Sequence, residues 1–365
     1  MIITLSSPII SAQYGFSYNY IDVLELLLKK IKKNNSLTKN NSITINNSLT
    51  INNKLFKNDP CCGKEKRLIL ILENGNLFII DENTSVEFIC EPSILNTQSS
   101  LNNKKILYVT TFNKKLYDEY AYKFLDTFNL KDDLVIYSED DLSFLKEKHN
   151  IPNLEIVNMC TDVPELNNFI ETNKERDVND SKKGFRWATI RFCYKVFAVT
   201  HAGLKFSNNK NYDYLIWIDA DCIFKKELEK KTILTKYICK NNMMSYFGRN
   251  TIYHSDCGFL IFNLNHNYIT KYFESMKKIY VSNKIYKEKE WHDSYIWDLI
   301  RSKFEKKHKV INFDIGKIYS NYECSYNHIM TATPLYNYLD HLKGNIRKKL
   351  GTSNEKKFKN YINKK

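Results

Sequence analysis

The stretch Tyr212-Asp213-Tyr214-Leu215-Ile216-Trp217-Ile218-Asp219-Ala220-Asp221-Cys222-Ile223-Phe224 constrains this chain more than any other. An apolar run of strand type leads straight into two carboxylates spaced by one small residue. Along a strand, positions i and i+2 point the same way. Two carboxylates aimed together repel unless a cation lies between them. Hard divalent ions take oxygen ligands and often bridge to phosphates. The carboxyl end of a strand is also where open α/β sheets bind ligands. Asp219 and Asp221 are therefore read as a metal–diphosphate site. An Asp-X-Asp by itself is commonly an acidic turn, and the surrounding segments are what give this one weight.

Strands alternate with helices around it. Strands are expected at Lys105–Thr111, Asp133–Tyr137, Leu154–Val157 and Tyr214–Ile218, with helices at Leu116–Phe128 and Phe185–Ala202. That order argues for a mostly parallel sheet covered by helices. No G-x-G-x-x-G follows the first strand, which speaks against a dinucleotide Rossmann site. Residues 1–95 have a different texture and read as a small β-rich, sandwich-like module. Its expected strands Leu68–Leu72 and Leu77–Ile80 are joined by a turn at Asn74-Gly75-Asn76, and Ile21–Lys32 reads as a short helix or extended segment. Residues 34–57 carry a hexapeptide repeat (NNSLTK, NNSITI, NNSLTI, NNKLFK), read as an insertion without a function. Residues 96–104 read as a linker, and 105–365 as the main domain.

Net charge is +14, which fits an anionic partner such as a nucleotide, a nucleic acid or an acidic membrane, but the Lys are scattered, which reads as a solvated basic surface sooner than as a nucleic-acid groove. The nine Cys show no metal spacing, which suggests reduced thiols in a cytosol-like compartment. No segment reaches the roughly 20 apolar residues of a membrane helix, and Met1–Leu5 is read as no signal peptide. The abundance of Lys, Asn and Ile suits an A/T-rich genome, of a parasite or a large DNA virus. The expected place is cytoplasmic, in a host cell or virion if viral, and a homo-oligomer stays open.

Further segments belong with the carboxylates. Thr110, Thr111 and Asn113, at the end of the first strand, can hold a base and ribose or simply cap a helix. On the helix that follows Gly184, Trp187, Arg191 and Lys195 recur every four residues on one face, with Arg186 near its start. Such a face would meet a diphosphate well. Asp256, before Gly258 and an apolar strand, and Asp293, at the start of an amphipathic helix, are candidate sugar-side carboxylates. Near the C-terminus, His341, Lys343 and Gly344 offer an imidazole, a cation and a close backbone approach within four residues.

In this order the segments over about residues 104–350 resemble a GT-A glycosyltransferase. The late His-X-Lys-Gly looks like the His-X-X-Gly-X-X-Lys of the glycogenin and lipopolysaccharide galactosyltransferase group. The resemblance implies a Rossmann-like mixed sheet with covering helices. It implies Mn²⁺ (or Mg²⁺) on Asp219, Asp221 and His341, and diphosphate contacts from Lys343 or Lys348. The group's helix Arg falls on Arg191 and its sugar-side Asp on Asp293. A UDP-sugar is the implied donor, and a hydroxyl of a glycan or protein the acceptor. Retention is favoured; Asp256 or Asp293 would be the base if the reaction inverts. Two other readings are a non-catalytic sugar- or nucleotide-binding protein on this fold, and a metal-dependent nucleotidyltransferase. The latter would need a third carboxylate beside the pair.

Overall fold

The computed structural model describes residues 1–33, 35–37, 43–45, 48–90, 103–128, 130–250, 253–324 and 328–363. Most of the expected linker and part of the hexapeptide repeat lie outside the described residues.

The N-terminal region forms two sheets. Its strands are β1 (Ile2–Leu5), β2 (Ile9–Phe16), β3 (Asn19–Asp22), β4 (Asn35–Leu37), β5 (Ile43–Ile45), β6 (Leu49–Thr50), β7 (Arg67–Leu72), β8 (Leu77–Asp81) and β9 (Ser85–Cys90). One sheet has the order β3-β2-β7-β8; the other has the order β1-β9-β5-β4, with β6 also paired to β9. The helix Leu24–Lys33 packs Leu27 and Ile31 into a core with Ile3, Tyr14, Leu68, Leu70 and Phe88. Gly75 takes φ +91 in the β7–β8 turn, where the sequence places Asn-Gly-Asn.

Strand β7 is apolar at every position after Arg67 because both of its faces are covered. Leu68, Leu70 and Leu72 face the N-terminal core, while Ile69 and Ile71 join the core of the main sheet. The side-chain period of two thus stitches the module to the rest of the chain.

The main sheet holds β10 (Ile106–Phe112), β11 (Asp133–Ser138), β12 (Leu154–Asn158), β13 (Tyr214–Ile218), β15 (Met244–Phe247), β16 (Asp256–Asn263) and β17 (Phe313–Asp314). Its order is β12-β11-β10-β13-β16-β15-β17. The β12-β11-β10-β13 part is parallel and β16 runs antiparallel to both β13 and β15. Each strand supplies two cores by alternation. Tyr214, Ile216 and Ile218 of β13 face one helical layer, and Leu215 and Trp217 the other. Burial on both faces explains the apolar runs of β10, β11 and β13, whereas the edge strand β12 keeps Glu155 exposed.

Two expectations change. The long helix covers Thr189–Asn209, preceded by a 3₁₀ turn at Phe185–Trp187, so Arg186 and Trp187 lie ahead of the helix and not on its face. The expected helix at Leu116–Phe128 is present as Lys114–Leu116 and Tyr122–Thr127, joined by a π-helical turn at Tyr117–Ala121. No helix among the described residues is long and apolar enough to cross a membrane.

Candidate functional site

Strand β13 ends at Ile218, so Asp219-Ala220-Asp221 forms the turn beyond it and not a continuation of the strand. Asp219 N–H donates to Gly258 O at 2.9 Å, and Cys222 N–H to Asp219 O at 3.0 Å. The chain then enters β14 (Cys222–Phe224), which leaves the main sheet and pairs antiparallel with β18 (Leu339–His341). The register sets Cys222 opposite His341. Backbone pairing thus brings a side chain from the end of the sequence onto the Asp-X-Asp turn.

There His341 Nε2 lies 3.2 Å from Asp221 Oδ1 and 3.7 Å from Asp219 Oδ2. One ligand atom from each of Asp219, Asp221 and His341 lies within 4.8 Å of the others. Two carboxylates and one imidazole form an oxygen-rich donor set that suits Mn²⁺ or Mg²⁺. The ring is seated on bare backbone: a Cβ on Gly258 would come within 2.4 Å of His341 Cε1 and Nδ1. Burial alone would lower the His341 pKa, but the flanking Asp221 and Asp256 carboxylates prevail and push it up to about 10. Asp221 is partly buried, which would raise its pKa, yet His341 and Lys348 hold it well below the usual carboxylate range.

Cations surround the pair. Lys348 Nζ is 3.0 Å from Asp221 Oδ2 and 3.8 Å from the centre of the Tyr120 ring, at the edge of a cleft of about 460 Å³ lined by Tyr120, Asn345, Lys348 and Lys349. Lys343 Nζ pairs with Asp256 Oδ2 at 3.0 Å. Gly344, at φ +80 with open space around it, lets the chain turn from β18 into the helix Gly344–Leu350 that carries Lys348. Lys195 is buried and acts inside the protein: its Nζ bridges Asp219 Oδ1 at 2.9 Å and Asp293 Oδ2 at 3.1 Å, and donates to Cys257 O at 2.6 Å. Although burial opposes it, those carboxylates raise the Lys195 pKa and keep it charged.

Several expected residues play other parts. Lys195 is paired with the carboxylates of Asp219 and Asp293. Arg191, one turn earlier on the same helix, is exposed, sits 5.6 Å from the Phe192 ring and makes no ion pair among the described residues. Arg186 pairs with Glu290 at 3.0 Å. Thr110 is fully buried and cannot reach a ligand with its side chain. Thr111 Oγ1 donates to Tyr137 O. Asn113 caps the helix Lys114–Leu116 through Oδ1 and donates to Glu139 from Nδ2, so capping wins at this position.

Asp256, the first residue of β16, is buried between Lys343 and the Nδ1 side of His341, 3.5 Å away, and accepts from Gly258 N–H. Lys343 and His341 outweigh burial and hold its pKa well below the usual range. Asp293 is buried against Lys195, which together with His292 lowers its pKa against the effect of burial. Both carboxylates are thus buried and held in ion pairs.

Sequence reasoning missed three contributors. Trp217 Nε1–H donates to Asp219 Oδ1 at 2.6 Å; its position two residues before Asp219 was the available signal. His328 Nε2 contacts His341 O at 2.7 Å, holding the backbone behind the imidazole, and nothing local marks it. Glu290 lies between His254 and His292, and only the Glu-Trp-His alternation hinted at it.

No protein-family model matches the chain, and no curated protein sequence matches it. Among solved structures it is similar to mouse xyloside xylosyltransferase 1 (TM-score 0.37, 9% identity, 57% of this chain and 84% of that one). It is also similar to a glycosyltransferase involved in glycosylation of the PBCV-1 major capsid (0.33, 11%, 67% and 98%). A third is the WbbM bifunctional glycosyltransferase (0.38, 12%, 72% of this chain and 50% of that one). Likenesses at this level transfer no residue roles or activity.

Proposed function

We propose that this chain is a metal-dependent glycosyltransferase that moves a sugar from a nucleoside diphosphate, UDP by resemblance, to a hydroxyl of a glycan or protein. The observation that supports it most is the convergence of Asp219 and Asp221, from the middle of the domain, with His341, from near its end, through the β14–β18 ladder. Bound there, Mn²⁺ or Mg²⁺ would neutralise charge on the two phosphates. Lys348, a quarter exposed beside Asp221, would meet the negative charge that develops on the leaving group, and exposed Arg191 is the further cation this reading assigns to the diphosphate. Lys343 orients Asp256, which in turn orients His341. The anomeric C–O bond breaks with its electron pair on the diphosphate, and the acceptor oxygen forms the new bond. With Asp256 and Asp293 both held in ion pairs, the acceptor proton passes to the departing phosphate oxygen. That is same-face attack with retention.

The test is nucleotide release from a panel of UDP- and GDP-sugars with Mn²⁺, then with EDTA, in the wild type and in Asp219→Asn and Asp221→Asn. The expected result is one active donor, loss of turnover with EDTA, and folded but inactive variants. Full activity in either variant would refute the assignment.

A further inference from the structure

The chain holds a second cluster of metal-ligating groups that the proposed reaction does not use. His254 precedes β16, and Glu290 and His292 precede the helix Asp293–His308. Glu290 Oε2 lies 3.1 Å from His254 Nε2 and 2.9 Å from His292 Nε2. One ligand atom from each of the three lies within 4.8 Å of the others. The imidazole rings are tilted at 57° with centres 5.2 Å apart, so their nitrogens converge and the rings do not stack. Glu290 and His292 are buried, while the His254 side chain is 32% exposed, which leaves one side of the cluster open to solvent.

The outer nitrogens repeat one arrangement. His254 Nδ1 faces Asp298 Oδ2 at 3.8 Å, and His292 Nδ1 faces Asp293 Oδ1 at 4.0 Å. Both outer carboxylates are anchored. Asp298 accepts from Ser255 N–H, Ser255 Oγ–H and Arg301, and Asp293 is paired with Lys195. The second oxygen of Glu290 is taken by Arg186 at 3.0 Å. Each imidazole thus has a carboxylate on both sides. A neutral ring carries one N–H, so either tautomer leaves a nitrogen lone pair opposite a carboxylate. A divalent cation at the inner nitrogens and Glu290 Oε2 removes that conflict. Both rings then turn Nδ1–H outward to Asp298 and Asp293, the carboxylate–histidine–metal arrangement that fixes a ligand's tautomer.

We propose that His254, Glu290 and His292 form a second metal site, selective for a zinc-type ion. Two imidazoles and one carboxylate favour Zn²⁺ over Mn²⁺, by donor softness and by the divalent affinity order. Three protein ligands leave one position for water or a substrate hydroxyl, on the solvent side marked by His254. The site is also joined to the first: Asp293 behind His292 shares Lys195 with Asp219. The two sites thus differ in ion preference while sharing one ammonium.

The test is metal stoichiometry on the full chain, stripped with chelator and titrated with Zn²⁺, and with Co²⁺ as a spectroscopic probe, without any sugar donor. The outcome is therefore independent of the transferase reading. The Asp219→Asn/Asp221→Asn protein should keep one Zn²⁺ per chain and show the intense visible bands of low-coordinate Co²⁺. His254→Ala and Glu290→Gln should each weaken that site at least about 100-fold. His254 is half-buried on a loop, so its removal should leave the melting temperature in EDTA unchanged, and Glu290→Gln keeps hydrogen-bonding capacity. If the Asp219→Asn/Asp221→Asn protein binds no Zn²⁺, or both cluster variants bind it as the wild type does, the cluster is a hydrogen-bonded brace and the proposal is overturned.

Discussion

Gly258→Ala isolates the seating of His341. Gly258 lies in the middle of a buried strand, so added bulk, not strand geometry, is what the change tests. The new Cβ would meet His341 Cε1 and Nδ1 at 2.4 Å and Nε2 at 3.1 Å. An ordinary carbon contact needs about 3.5 Å, so the ring must retreat by about 1 Å. It cannot retreat freely, because Asp256 lies 3.5 Å from its Nδ1 and Asp221 3.2 Å from its Nε2. Overpacking of this kind costs about 1–3 kcal/mol of stability. A shift of about 1 Å in a positioned group costs on the order of 100-fold in function. The assay is Mn²⁺ affinity by calorimetry beside thermal unfolding. Gly203→Ala is the control, because its Cβ would meet the Phe273 ring at 2.4 Å, in the core and away from the site. Both variants should lose similar stability, and only Gly258→Ala should lose metal affinity. Wild-type Mn²⁺ affinity in Gly258→Ala would refute the placement of His341 in the site.

Three further outcomes are expected. Lys348→Ala removes the cation beside Asp221 and should weaken UDP binding in Mn²⁺ by about 10–100-fold, with Lys348→Arg recovering part of it; titration calorimetry decides. Ile71→Ala, on the face of β7 that enters the main core, should destabilise the whole chain by about 2–5 kcal/mol; with Leu70→Ala on the opposite face it should shift one shared unfolding transition, and a separate transition for the N-terminal module would refute the stitching. Burial raises the Glu139 carboxyl from 4.5 to about 7, against its hydrogen bond from Asn113. The folded state then holds this proton more tightly than the unfolded chain, so stability falls as pH rises from about 4.5 to about 7, by at most about 3 kcal/mol. Glu139→Gln should match the wild type near pH 4.5 and exceed it at pH 8, and parallel stability curves for the two would overturn this.

The strands at Lys105–Thr111, Asp133–Tyr137 and Tyr214–Ile218 were legible because burial on both faces leaves long apolar runs, while the edge strand at Leu154–Val157 keeps Glu155 exposed among its apolar residues. The Asp-X-Asp and the late His were legible as residue types, but what joins them is not local: strands β14 and β18 have only three residues each and are defined by their pairing. Helix periodicity placed Arg191 and Lys195 on one face correctly, yet it could not show that Asp219 and Asp293 would claim Lys195. Asn113 shows the opposite failure. A polar residue after a strand suits a ligand and a helix cap equally, and only the bond to Leu116 N–H decides between them.

The ion pairs around the Asp-X-Asp turn bear on the metal proposed for it. Asp219, Asp221, Asp256 and Asp293 bring four carboxylates together, and Lys195, Lys343 and Lys348 answer three of them. Lys195 is shared between Asp219 and Asp293, so one negative charge of the four is left unanswered by the lysines. In the absence of a metal, His341 answers it by holding a proton, its pKa pushed up to about 10 against the effect of burial. That proton faces Asp221 Oδ1 and Asp219 Oδ2, where a divalent ion would bind. Metal entry therefore exchanges one positive charge for two and frees the imidazole lone pair as a ligand. None of these four carboxylates would be left to meet the surplus positive charge. An incoming diphosphate supplies the missing negative charge, and for that reason metal and nucleotide should bind this turn together more tightly than either binds alone.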